Sequence, residues 1–526
     1  MSVRGRRRPD LDTGPMDSLA RSIVTYAPGP RDAPVVVRTA ATDSEIAAAG
    51  ALTAEAYHAD RLINDDDEYA DELRDASRRA REATLLVAAL PGDDEDVVVG
   101  TITLAPAGSS YAEVARPGEV ELRMLGVAPE ARRRGIAEAL MRASMRATVA
   151  LGAGAAVLST LDTMTTAQRL YDRLGFRREP DRDWGHEGVG LRVYSWHVPP
   201  APGVRIETST WRPVEVREVG GWQVGLSSGF TRRANSAVPV LGSAMRETPL
   251  EAALDAVETC YREAGLASVV RVGHSSEDDA LDGILAARGY TVASRTWVMV
   301  LDLPTAAVTV RPGSATPDVA RTSDSVMTSD RPVTSDIPVS PDGPVTSAST
   351  AIDGGDVVRS GDGDGEDERG LDVADAGAGD HRSAPGRAAA AARGLRVTLA
   401  TEPDAEWLAC WLSVKAGAGE PDVSVARAVV TGSPALYLSA RDRDGVVGVL
   451  RSASADAWVG LSCLAVSMRA RGHGLARMLT AVALETATGR GAHHAFLQVE
   501  DENSAAWRLY ESLGFVPAER YHYRER

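Results

Sequence analysis

The sequence predicts a mixed α/β protein that carries one module twice, with a degenerate α/β copy of it in between. Three observations lead there. Segments 127–176 and 466–515 align without a gap at a constant offset of 339 residues. Helix-like and strand-like stretches alternate within each copy, as in a sheet with helices packed on it. The chain has 526 residues, more than one hydrophobic core usually serves.

The repeat is specific. The first copy runs from Val127 through Arg132, Arg133, Arg134, Gly135, Ile136 and Ala137, and the second from Val466 through Arg471, Gly472, His473, Gly474, Leu475 and Ala476. Each is followed 36 residues after its last glycine by a tyrosine in a Leu-Tyr-x-x-Leu-Gly-Phe ending, Tyr171 and Tyr510. Two motifs and the interval between them recur together, which marks a duplicated module.

The elements follow in order. Residues 1–33 read as a disordered tail, and both Met1 and Met16 stand as candidate starts. Val35–Arg38 reads as a strand, Glu45–His58 as an Ala-rich helix and Glu68–Glu82 as a charged helix. Thr84–Ala89, Val97–Leu104 and Val120–Val127 read as strands. Ile136–Leu151 is an amphipathic helix, Ala155–Leu161 a strand, Thr166–Leu174 a short helix and Leu191–His197 a last strand, which closes a domain over 34–199. Residues 203–303 form a second lobe whose Leu285–Tyr290 ending resembles the Gly-Phe ending, but which lacks the glycine turn. Residues 304–393 are rich in Ser, Thr, Asp and Gly and too poor in large apolar residues to bury a core, so they read as a disordered acidic linker that leaves the flanking sites independent. Residues 394–526 hold the second copy.

Composition narrows the function. Net charge is −17 with pI near 5.1, which argues against a nucleic-acid face. No apolar run is long enough to span a membrane. Cys260, Cys410 and Cys463 are too far apart for a metal or disulfide frame, so a cytoplasmic protein without a metal is expected.

Each glycine motif follows a strand and opens a helix. The first amides of such a helix have no internal partner and carry the positive end of its dipole. Small residues there let the backbone approach an anion, and a pyrophosphate suits the site. Arg132, Arg133, Arg134, Arg471 and His473 add charge. A tyrosine hydroxyl is protonated at neutral pH and can donate a proton to a leaving thiolate. The same tyrosine can equally be a half-buried core residue, a reading the paired turn outweighs. Asn503, seven residues before Tyr510, suits an N-cap and can also bond an amide-containing ligand. Met164 stands at the equivalent place and can do neither, so Thr165 or Thr166 is expected to cap.

These residues resemble the GCN5-related N-acetyltransferase (GNAT) family, through Arg-x-x-Gly-x-Ala at 132–137 and 471–476 and the downstream tyrosine ending. The resemblance implies a mixed, splayed sheet of the acyl-CoA N-acyltransferase type, present twice. It implies acetyl-CoA as cosubstrate between the splayed strands, with Val127 and Val466 beside the pantetheine arm and Asn503 contacting it. It also implies an N-acetyltransferase that moves acetyl to a primary amine of a small molecule or protein, with Tyr510 and Tyr171 as general acids. The lobe 203–303 together with 394–526 looks like an actinobacterial tandem acetyltransferase fused to a single-domain one. Mycothiol synthase has a comparable two-lobed plan and stands as an alternative. Glu119 and Glu121, on one face of a strand, and Glu500 are candidate bases, each of which can equally be a strand-end carboxylate. Asn64–Glu68 lies where the family usually builds its acceptor site and would suit a cationic amine; a solvated loop of helix-start acids is the equal alternative. A scaffold that binds acyl-CoA without turnover remains a second class. The acceptor and the oligomeric state cannot be read from the sequence.

Overall fold

The computed structural model describes residues 25–27, 35–64, 68–92, 95–186, 189–240, 248–274, 276–304, 395–414 and 422–526. The expected linker from 305 on lies outside them, as does the expected tail apart from residues 25–27. All described residues belong to one compact unit.

The first sheet is built from β1 (Thr25–Ala27), β2 (Val35–Thr39), β3 (Thr84–Leu90), β4 (Val97–Pro106), β5 (Glu119–Val127), β6 (Ala155–Leu161), β7 (Arg177–Arg178), β8 (Trp184–His186) and β9 (Val189–His197). Its order is β1-β2-β3-β4-β5-β6-β9-β7, with β8 on β9. The three residues of β1 pair with β2 and so belong to the sheet, not to a tail. β3 is buried on both faces, so its apolar run does not alternate.

Helices cover both faces. α1 (Asp43–Ala59) starts at a capping box of Thr42 and Glu45. The expected helix 68–82 is two helices, α2 (Glu68–Arg74) and α3 (Ala76–Glu82). Asp75 breaks it by capping α3 through Arg78 N at 3.0 Å. Gly50 lets α1 meet this break, since a Cβ there would lie 2.2 Å from Arg74 O. α4 (Ile136–Ala150) follows the first glycine turn and α5 (Thr165–Arg173) carries Tyr171.

The rest of the chain forms a second sheet. Its middle lobe contributes α6 (Gly203–Thr210), β10 (Glu215–Val219), β11 (Trp222–Leu226), β12 (Ala237–Pro239), α7 (Leu250–Glu263), β13 (Val269–Val272), α8 (Ser276–Ala287) and β14 (Thr291–Asp302). The C-terminal part contributes β15 (Arg396–Ala400), α9 (Ala405–Leu412), α10 (Val423–Thr431), β16 (Ala435–Asp442), β17 (Gly445–Ala455), β18 (Trp458–Val466), α11 (Leu475–Gly489), β19 (His494–Glu500), α12 (Ser504–Glu511) and β20 (Val516–Glu525). The order is β10-β11-β12-β13-β20-β14-β19-β18-β17-β16-β15.

This order exchanges strands between the two lobes. β14, from the middle lobe, lies between β19 and β20, pairing Thr296 with Glu500 and Val300 with Val516. β20, the end of the chain, pairs on its other side with β13. The C-terminal sheet is therefore completed by a strand that precedes the linker.

The two modules also share a core. One cluster of buried side chains runs from Val37 and Leu140 in the first module to Trp507, Tyr510 and Phe515 in the second. α4 packs against β20, and its rear half is buried at Ser144, Arg146 and Thr148. The hydroxyls of Ser144 and Thr148 return to carbonyls one turn back in the helix. The two sites are joined by packing, which corrects the expectation that the linker keeps them independent.

Candidate functional site

Both modules open a gap in the sheet at the same place. β5 and β6 run parallel and pair only from Glu119–Ala155 to Glu121–Val157, although β5 continues to Val127. β18 and β19 likewise pair only from Trp458–His494 to Leu461–Leu497. Beyond those points each pair of strands parts. A bulge sits in each parting strand. Met124 has φ 54° and Cys463 φ 57°, and the ladder to the preceding strand slips at Thr101/Thr103 and Val449/Arg451. A non-glycine residue in this region costs on the order of 1–3 kcal/mol, so packing must hold it there. Met124 is buried beside Ile63 and Tyr111. Sequence reading missed both bulges, because neither residue is a glycine. The one available signal was that the two positions share the 339-residue offset, three residues before the repeat.

Each parting strand runs into its glycine turn. Gly135 (φ 80°) and Gly474 (φ 74°) cap α4 and α11 in the left-handed conformation, with no side-chain bond to the helix start. Helical bonding begins with Ala139 N to Gly135 O and Met478 N to Gly474 O. The amides of Ile136, Ala137, Leu475 and Ala476 thus precede the first helical bond. Gly472 has φ 78° and its counterpart Arg133 has φ 63°, so the first copy holds an arginine where the second uses glycine. A Cβ on Gly135 or Gly472 would meet nothing within 4 Å, so both turns face open space with room for an anion. The motif arginines serve the turn itself. Arg132 Nε lies 3.4 Å from Val127 O and its Nη1 2.7 Å from Asp60, while Arg471 Nε donates to Val466 O at 3.1 Å. Each guanidinium ties the strand end to the loop that follows.

Tyr171 and Tyr510 are buried, at 6% and 9% exposure. Burial pushes the Tyr171 phenol up to about 12 and also raises that of Tyr510, so both keep their proton at neutral pH. The Gly-Phe endings close both helices: Phe176 N bonds Tyr171 O and Phe515 N bonds Tyr510 O, each at 3.0 Å. Asn503 Oδ1 accepts from Ala506 N at 3.1 Å. In the first copy neither Thr165 nor Thr166 caps; Met164 holds that position without a side-chain bond to the helix start. Gln168, which sequence reading missed, ties α5 down instead by donating to Leu161 O at 2.9 Å and Asp162 O at 3.2 Å.

The candidate bases differ in setting. Glu121 is 1% exposed and its Oε2 accepts from the amides of Glu113, Val114 and Ala115. Burial raises its pKa against those bonds and nearby Arg123. Glu119 is paired with Arg182 at 2.7 Å and accepts from Arg116 N. Both therefore hold the loop between β4 and β5, and neither stands free in the gap. Glu500 is exposed at the end of β19. Of the expected acceptor segment, residues 65–67 lie outside the described residues. Asn64 lines a cavity of about 500 Å³ between α1 and the α2–α3 break, together with Glu55, His58, Arg74 and Ser77.

The second sheet holds a charged cluster that sequence reading did not find. Arg271 bonds Glu207 at 2.6 Å and Glu519 at 2.7 Å, and lies 3.8 Å from the Tyr521 ring centre. Gln498, the residue after the last β18–β19 pair, donates to Glu207. These residues are far apart in sequence, so no local pattern could join them. Among the described residues there is no group of three or more metal-ligating side chains, and no helix long and apolar enough to cross a membrane.

This double cleft is the architecture of an acyl-CoA acyltransferase fold. Residues 51–176 match the family model "Acetyltransferase (GNAT) family", so this segment is a GNAT acetyltransferase domain. Residues 378–524 match a second model, described as "Probable histone acetyltransferase Rv0428c C-terminal". Among curated proteins, the uncharacterized N-acetyltransferase YobR of Bacillus subtilis is 36% identical over 83 residues, 16% of this chain and 34% of that protein. N-alpha-acetyltransferase 30 of Saccharomyces cerevisiae is 38% identical over 60 residues, 11% of this chain and 34% of that protein. The chain thus spans about a third of the length of these two relatives. A solved GCN5-related N-acetyltransferase from Kribbella flavida is similar at 14% identity and TM-score 0.35, covering 62% of this chain and 96% of that one.

Proposed function

We propose that the protein is an acetyl-CoA-dependent N-acetyltransferase with two sites of one design, one in each parted pair of strands. The observation that carries this reading is the threefold coincidence in both modules of a bulged strand, an open glycine turn and a buried tyrosine. Ile136 and Ala137, or Leu475 and Ala476, offer helix-start amides to the pyrophosphate, with Arg133, Arg134 and His473 adding charge. Val127 and Val466 line the pantetheine arm, and in the second site Asn503 adds an amide.

The reaction is direct transfer. A neutral primary amine attacks the thioester carbonyl, the C–N bond forms and the C–S bond breaks. The leaving sulfur takes its proton from the tyrosine hydroxyl, Tyr510 in the second site and Tyr171 in the first. Both phenols carry that proton at neutral pH. Glu500, exposed at the end of β19, takes up the proton that the amine loses in the second site.

The match of residues 378–524 to a histone-acetyltransferase-type model favours a protein amine at the second site. A net charge of −17 would draw a basic peptide to it. The test is CoA release from acetyl-CoA across a panel of small amines and lysine-bearing peptides, in the full chain and its Tyr510→Phe and Tyr171→Phe variants. Loss of CoA release in the tyrosine variants supports the reading. Acetyl-CoA binding without release on any acceptor supports the second reading, a scaffold that binds acyl-CoA, which the absence of the glycine turn from the middle lobe favours.

A further inference from the structure

α12, the helix of Tyr510, has eight residues. Isolated helices below about 12–15 residues are marginal in water, so its direction is set by what it touches. One end is fixed by the Asn503 cap and by Asp501 just before it, which accepts from Trp297 Nε1 at 2.9 Å and Arg520 at 3.1 Å. The other end is held by the first module. Arg146 Nη1, on α4, donates to Glu511 Oε1 at 3.0 Å, with the two side chains 5% and 11% exposed. The same guanidinium lies 4.8 Å from the Trp507 ring centre, and Trp507 meets Trp297 edge to face at 5.6 Å. Trp507 and Glu511 are one turn apart on α12, and Tyr510 lies beside them. The counterpart of Arg146 on α11 is Glu485, and in the first module Gln168 and Asp172 stand where Trp507 and Glu511 do. The bracket therefore exists for the second tyrosine and not for the first.

We propose that Arg146 is a positioning residue for Tyr510: the helix that opens at the first module's glycine turn holds the tyrosine helix of the second through Glu511 and Trp507. The inference rests on the reading of Tyr510 as the second site's proton donor. A buried ion pair that loses one partner leaves the other charged and unsolvated, so Glu511 must move towards water when Arg146 is gone, and α12 must move with it.

The test is hydrogen exchange, followed by mass spectrometry, on the full chain and its Arg146→Met and Glu511→Gln variants. Amides of 504–511 are expected to exchange at least about tenfold faster in both variants, while those of 165–173 keep their rate. In a Tyr171→Phe background, with acetyl-CoA and a lysine-bearing histone-tail peptide, both variants should lower kcat and leave the KM for acetyl-CoA unchanged. Arg146→Lys should recover part of the loss. Unchanged exchange at 504–511 overturns the proposal, as does uniformly faster exchange throughout both modules in both variants, which would make the pair a general packing element. If Tyr510→Phe turns over normally, the catalytic reading fails on its own, and the exchange data still decide whether Arg146 holds α12.

Discussion

The two modules reach the same backbone with different side chains. In the first, Gln168 bonds carbonyls of its own β6–α5 turn to hold the tyrosine helix. In the second, Asn503 caps the helix and Arg146 reaches it from the other module. A buried guanidinium also stands over the bulge-side strand of each. Arg451 grows from β17 itself and donates to the carbonyls of Val430, Thr210 and Ser433. Arg79 comes instead from α3, bonding Thr103, Thr53 and Leu73 O, and its Nε is buried without a partner. The first module is closed by contacts within itself, and the second by contacts brought from elsewhere in the chain. Loss of Gln168 or Arg79 should therefore stay local to the first module, whereas the second module's tyrosine helix should also feel a loss in the first, at Arg146.

The largest expected effect is chemical. Tyr510→Phe should lower turnover at the second site by on the order of 10²–10⁴-fold and leave acetyl-CoA affinity unchanged. Steady-state kinetics and calorimetry on the same preparation read both. A normal turnover with a lowered melting temperature would make Tyr510 a packing residue.

Next comes the buried guanidinium. Arg451→Leu strands carbonyls of Thr210, Val430 and Ser433, and should cost on the order of 3 kcal/mol or more. Arg79→Leu should cost less, since two of its acceptors are threonine hydroxyls that can turn to other partners. Urea titration of the full chain compares the two. Equal losses would remove the contrast between self-contained and borrowed closure.

The glycine turns sharpen it further. Gly474→Val puts a branched side chain at φ 74° and should weaken acetyl-CoA binding at the second site by at least about tenfold. Gly135→Val should do the same at the first site only. Asn503→Met copies the first module's residue into the second and should cost about 1 kcal/mol of cap energy, lowering affinity towards that of the first site. Tighter binding at the first site in the unaltered chain would reverse this ranking.

The last effect is alkaline. Burial holds the Tyr171 phenol at about 12 in the folded chain against 10 when exposed. The folded state then keeps a proton that the unfolded state has lost, so stability falls as pH rises from about 10 to 12. Tyr171→Phe should flatten that fall, measured by urea titration across the window. An unaltered slope would mean the phenol reaches water.

The duplication, the mixed α/β class, both glycine turns and both tyrosine helices were legible in the sequence because each rests on local chemistry. A glycine at φ 80° or 74° and a Gly-Phe ending at a fixed interval are written in neighbouring residues. The bulges at Met124 and Cys463 were not legible, since a non-glycine residue at positive φ is imposed by packing. The expected threonine cap is absent: Met164 holds the N-cap position, and Gln168 Nε2 donates to the carbonyls of Leu161 and Asp162. The insertion of β14 between β19 and β20, the Arg271 cluster and the Arg146–Glu511 bracket join residues up to 365 positions apart. The sequence by itself determined which residues open each turn, because a turn answers to the residues within it. Only the tertiary structure decided which strand completes the second sheet and which helix steadies its tyrosine, because a strand edge or a buried charge accepts any partner that packing brings to it.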